Sequence, residues 1–210
     1  MMRPLAGELE AYFDAIGNLG RQIDVTDRHN IPVSLADAVA WCTQTAEHCR
    51  RQGARVYFVG NGGSAAIASH MAVDWMKNGG FAATSFNDGA SLTCLANDLG
   101  FEQVFALPLS RQARPGDLLI AISSSGRSTN ILAAVAAARG AGAAVLTLSG
   151  FLPDNPLRSS GDMNFYVPSK LYGFVEVAHL CVCHAVLDLC MGWRSDGSEP
   201  VYATGATGAE

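Results

Sequence analysis

The chain has 210 residues, of which 49% are hydrophobic and 16% charged, with a formal net charge of −5. That length suits one well-packed domain and is short for two. The acidic balance, without clustered Lys and Arg, speaks against nucleic-acid partners, and a charge fraction below the usual ~25% implies surface buried against further copies of the chain.

In chain order, apolar residues at helical spacing predict helices over Leu5–Ile23 and Leu35–Arg51, broken by Asn30-Ile31-Pro32. Ser34 followed by Asp37 reads as the N-cap of the second helix, and Gly53 closes it. An alternation then begins: strand Arg55–Val59, helix Ser64–Lys77 stopped by Asn78-Gly79-Gly80, strand Ala82–Phe86 and a helical turn over Ser91–Leu95. Strand Asp117–Ile122, helix Ser128–Arg139, strand Ala144–Leu148 and a short strand Asn164–Val167 follow, before a long apolar helix over Tyr172–Trp193. Strands alternating with helices predict an α/β fold, a doubly wound open and mainly parallel sheet flanked by helices, with two extra helices at the N-terminus. A single domain is expected over residues 1–194, its N-terminal helical pair at about 5–52. The Gly-, Ser- and Thr-rich residues 195–210 read as a disordered tail.

No basic-then-apolar leader opens the chain, and no run of about 18 apolar residues marks a membrane span. The six cysteines lie mostly in apolar stretches, and Cys181-x-Cys183 has neither zinc-knuckle nor CxxC spacing. Reduced thiols, a cytoplasmic location and no membrane partner are the expectations.

Two segments carry chemistry. The apolar run Val56–Val59 breaks into Gly60-Asn61-Gly62-Gly63-Ser64, and Leu118–Ile122 breaks into Ser123-Ser124-Ser125-Gly126-Arg127-Ser128. A Gly- or Ser-rich turn from strand to helix aims backbone N–H groups, hydroxyls and the positive helix end at one spot, which suits a phosphate. The plain alternative for the second loop is that Ser128 only caps the next helix. In a doubly wound sheet ligands bind beyond the carboxyl ends of the strands, where both loops lie.

The motifs GNGGSA at 60–65, Asn97-Asp98 within LANDLGF and ISSSGRS at 122–128 resemble the sugar isomerase (SIS) domain, and more closely the phosphoheptose isomerases, over residues 35–193. The resemblance implies a SIS-type, flavodoxin-like fold, a homotetramer (or homodimer), and exchange of sedoheptulose 7-phosphate with a heptose 7-phosphate. It further implies phosphate held by Ser64, Ser123, Ser124, Ser125 and Ser128 with Gly62 and Gly63, and Asn61 and Asp98 near the sugar chain.

His70 and Asp74 stand four apart on the helix after the glycine loop, so they share a face. Glu176, His179 and His184 interrupt the last apolar helix, where each needs a partner. The plain alternative for His70 and Asp74 is a partly buried His beside a surface Asp, and for either His of the last helix a core residue bonded to a backbone carbonyl. The resemblance implies a zinc or similar divalent site at His70, Asp74, Glu176 and His184, with His179 the alternative ligand. Glu176 and His184 lie about 12 Å apart along the helix axis. The family has Glu at the Asp74 position, Gln at the Glu176 position and often Asp at the Gly173 position. Asp74 (or Glu176) is then the expected base and His184 the acid of an aldose–ketose isomerisation. The rival readings are a non-catalytic SIS protein, either a sugar-phosphate sensor or an adaptor, and an isomerase of another phosphosugar.

Overall fold

The computed structural model describes residues 7–203. Among them the chain runs α1 (Glu8–Gly20), β1 (Asp24–Asp27), α2 (Leu35–Arg51), β2 (Arg55–Gly60), α3 (Gly63–Lys77), β3 (Ala82–Ser85), α4 (Gly89–Leu99), α5 (Gln103–Gln112), β4 (Leu118–Ser123), α6 (Thr129–Gly140), β5 (Ala144–Ser149), β6 (Met163–Tyr166) and α7 (Tyr172–Cys190). A short 3-10 turn over Pro156–Ser159 precedes β6.

The six strands form one sheet in the order β1-β6-β5-β4-β2-β3, parallel except for β1, which pairs antiparallel with β6. β4 is buried at every position and β2 at all but Arg55. Helices cover both faces, so the central strands read as continuous apolar runs rather than alternating ones. Successive residues still divide between the faces. Val56, Phe58, Ile120 and Ile122 join α2, α3 and α7 in one core cluster around the fully buried Met71 and Trp75. Tyr57, Val59, Leu119 and Ala121 join α5 and α6 in the other, with Phe105, Leu109, Ile131 and Ala134. The order reverses between β2 and β4, where Gly60 pairs in register with Ile122. That is the switch point at which such sheets bind ligands.

Several elements depart from the expectations. β1 and α5 were not expected, and α4 is a helix of 11 residues rather than one turn. α1 ends at Gly20, short of Ile23; Leu5 and Ala6 lie outside the described residues. Ser34 does cap α2, accepting a hydrogen bond from the Asp37 N–H. α7 is, by length and composition alone, apolar enough to cross a membrane, but Glu176, His179, His184 and Asp188 interrupt it. Here it packs on α1, α2 and α3, burying Val175, Ala178, His179, Cys183, Val186 and Leu187. Part of the expected tail is tied down: the Val201 N–H reaches the Met191 carbonyl at 2.7 Å and the Tyr202 hydroxyl reaches Asp188 at 3.1 Å. The rest of it, 204–210, lies outside the described residues. All six cysteines are free thiols, and burial pushes Cys42 up to about 12 and Cys49 up to about 11. Such thiols are protonated and inert at neutral pH.

Candidate functional site

The turn after β2 is built for a close approach. A Cβ on Gly60 would strike the backbone carbonyl of Ser64, and Gly62 turns at φ 55°. α3 starts at Gly63 without a side-chain cap, so its first N–H groups face outward unclaimed by any side chain. The positive end of the helix therefore points where an anion can sit.

The serine loop after β4 meets this turn. Gly126, at φ 62°, directs its N–H back to the Ser123 carbonyl (3.0 Å) and hydroxyl (3.2 Å). Ser128 is the N-cap residue of α6, yet its hydroxyl caps nothing; it lies 3.4 Å from the Ser123 hydroxyl. Simple capping does not account for it. The Ser124 hydroxyl is buried with no partner, a state that costs about 1–3 kcal/mol unless a ligand completes it. A cleft of about 230 Å³ lies between the loops, lined by Asn61, Gly62, Gly63, Ser64, Ser123, Ser124, Ser125 and Ser128, and closed by Tyr172 and Glu176 of α7. Among the described residues no Lys or Arg lines it. Arg127, beside the loop, is instead paired with Asp154 at 3.1 Å. The attraction for an anion comes from amides, hydroxyls and helix ends.

Asn61 and Asn130 tie the halves together. Each side-chain amide donates to the other's oxygen at 2.9 Å, and Asn130, in the first turn of α6, is only 1% exposed.

The expected metal residues divide. His70 Nε2 lies 3.4 Å and His184 Nδ1 3.9 Å from Asp74 Oδ2, and one donor atom from each residue falls within 4.8 Å of the others. Two turns of α3 and the middle of α7 supply this trio, one carboxylate between two imidazoles. Glu176 is outside it. Its carboxylate lies over Gly63, where an added Cβ would collide with it, and it lines the serine cleft. His179 is fully buried; its Nε2 donates to the Ser149 carbonyl at 3.1 Å and burial pushes its pKa down to about 4. It is a core histidine, apart from the trio. Asp98 is exposed on α4, accepting from Asn97 at 2.7 Å, and is not among the cleft residues.

Three residues of the site escaped the sequence reading. In the sequence Tyr172 reads only as the start of a helix, and Asn130 only as part of one. Phe151 follows β5 with φ 59°, a turn that costs a bulky side chain on the order of 1–2 kcal/mol. Its ring meets Tyr172 edge-on at 4.8 Å between centroids.

A family model described as SIS domain matches residues 11–150. The chain is 33% identical over 201 residues to a phosphoheptose isomerase of Thiobacillus denitrificans, covering 90% of this chain and 98% of that one. Two solved structures have the same fold. A phosphoheptose isomerase from Neisseria gonorrhoeae matches with TM-score 0.75 and 28% identity, over 89% of this chain and 99% of that one. One from Francisella tularensis matches with TM-score 0.74 and 26% identity, over 90% and 98%.

Proposed function

We propose that this chain, which belongs to the SIS-domain family and is a sugar-phosphate isomerase of the phosphoheptose isomerase type, interconverts sedoheptulose 7-phosphate and an aldoheptose 7-phosphate with the help of a divalent ion. The observation that carries this reading is the cleft itself: an anion cradle with an unpartnered buried hydroxyl at Ser124 and a carboxylate, Glu176, on its wall.

The phosphate sits between the first turn of α3, with Gly62, Gly63 and Ser64, and the hydroxyls of Ser123, Ser124, Ser125 and Ser128. Asn61, fixed by Asn130, borders the sugar. Glu176 is the base: it is the carboxylate that lines the cleft, whereas Asp74 is engaged by two histidines. It takes the proton from the carbon beside the carbonyl, giving an enediolate, and returns it to the neighbouring carbon. His184 turns Nδ1 toward Asp74; its other ring nitrogen carries the proton between the two substrate oxygens. His70, Asp74 and His184 offer two nitrogens and one carboxylate oxygen, a donor set that fits Zn²⁺ with room for substrate. The ion, when bound, supplies polarisation of the carbonyl.

Assembly into a homotetramer or homodimer accords with Leu9 and Phe13 of α1, 65% and 62% exposed, and with the low charge fraction of 16%. The free thiols suit the reducing cytoplasm. Proton NMR of sedoheptulose 7-phosphate incubated with the protein, with and without Zn²⁺, tests the reading. Aldoheptose signals are the expected result, and their absence under both conditions overturns it.

A further inference from the structure

The serine cleft has one aromatic wall, and the chain accepts an unfavourable backbone conformation beside it. Tyr172 lines the cleft yet is 63% exposed, and no hydrogen bond fixes its hydroxyl among the described residues. What holds the ring is Phe151, packed edge-on at 4.8 Å with the planes 82° apart. Phe151 adopts a left-handed backbone, shared among the described non-glycine residues only with Asn30, a type that tolerates it. Glycine would adopt the turn freely. Two hydrogen bonds pin the strained residue: its N–H reaches the Ser169 carbonyl at 2.9 Å, and its own carbonyl accepts from the Tyr166 hydroxyl at 3.1 Å. The loop after β5 and the start of α7 are thus locked with one ring braced against the other. Strain maintained at a cleft rim points to a role there.

We propose that Tyr172, braced by Phe151, is the specificity-determining wall of the cleft, contacting the carbon chain of the sugar phosphate and not its phosphate. The ring offers an apolar face to the C–H edges of the sugar, and the free hydroxyl at its tip meets the sugar's own hydroxyls. The phosphate cradle is made of small groups at the two loops, and Tyr172 enters from a different element, α7. Anchoring and length reading are therefore separable. The inference rests on the cleft being the sugar-phosphate site.

The test is calorimetric titration of the full-length protein and its variants with sedoheptulose 7-phosphate and, separately, inorganic phosphate, alongside thermal melts. In Tyr172→Ala the dissociation constant for the sugar phosphate is expected to rise about tenfold while that for inorganic phosphate stays within about twofold. Tyr172→Phe is expected to retain most of the sugar affinity. Phe151→Gly relieves the backbone and loses the brace, and is expected to raise only the sugar constant, by about threefold. Equal weakening of both ligands places Tyr172 in the phosphate cradle and overturns the proposal. So does an unchanged sugar constant in Tyr172→Ala, or a wild type that holds the sugar phosphate no tighter than inorganic phosphate. If Phe151→Gly shifts melting alone, the brace is structural and that part falls. Wild-type binding without turnover defeats the isomerase scheme and leaves the wall tested by binding.

Discussion

Asn61 and Asn130 exchange two amide hydrogen bonds of 2.9 Å each across the gap between the glycine turn and the first turn of α6. The pair fixes the spacing of two loops that have no backbone ladder between them beyond the last residues of β2 and β4. Asn130→Ala is expected to raise KM for the sugar phosphate about tenfold while kcat stays within about threefold, because the cradle loosens but the base is untouched. Asn130→Asp sets oxygen against oxygen and is expected to do worse. Steady-state kinetics with a thermal melt checks this; an unchanged KM at lowered stability makes the pair purely structural.

The Ser124 hydroxyl is buried without a partner. Ser124→Ala removes that cost, so the ligand-free protein is expected to melt no lower than wild type, while affinity for inorganic phosphate falls about tenfold. Melting and phosphate titration on the same sample check it. Unchanged affinity would remove Ser124 from the cradle.

The His70–Asp74–His184 trio excludes Glu176. Zn²⁺ at 100 times its dissociation constant is expected to stabilise the fold by about 2.7 kcal/mol. Asp74→Asn is expected to abolish most of that response, and Glu176→Gln to keep it. Loss of the zinc-dependent melting shift in Glu176→Gln would return Glu176 to the ligand set.

His179 is held neutral, its pKa pushed down from 6.5 to about 4 by burial. Above pH 6.5 neither state binds the proton, so the group leaves stability unaffected. As pH falls from 6.5 toward 4, the unfolded chain takes up a proton that the folded one refuses. Stability is lost at up to about 1.4 kcal/mol per pH unit over that window. His179→Gln keeps a donor for Ser149 and is expected to flatten the slope, measured by urea unfolding at stepped pH. An identical slope in the variant would place the titration elsewhere.

Much of the fold was legible because its central strands are buried on both faces: VYFVG and LLIAIS announce themselves as apolar runs ending in Gly or Ser. β1 gave no such signal. Its DVTD owes its place to tertiary packing, with Val25 and Thr26 buried at a sheet edge beside β6. α5 was hidden by Pro108, which stands inside the helix and reads in sequence as a breaker. The helical turn expected over Ser91–Leu95 is the middle of α4, which runs on through Asn97-Asp98; Asp98, placed near the sugar by the family resemblance alone, is exposed and outside the cleft lining. The two cleft loops were readable because glycine and serine between strand and helix imply exposed amides. Glu176 and His184 were readable as polar breaks in an apolar helix, but sequence does not give the direction of a side chain. Only the packing of α7 on α3 separates the carboxylate over Gly63 from the histidine beside Asp74. Tyr172 carried no signal, since an aromatic at a helix start is usual in a core.

The central claim is that Glu176, in the cleft and apart from the trio, removes the substrate proton. The direct measurement is uptake of solvent deuterium into sedoheptulose 7-phosphate, followed by NMR in D₂O with Zn²⁺ present, for wild type and Glu176→Gln. Wild type is expected to exchange the proton beside the carbonyl as aldoheptose forms, and Glu176→Gln, with unchanged melting, to exchange at least about a hundredfold more slowly. Exchange at the wild-type rate in Glu176→Gln would contradict the account and move the base to Asp74.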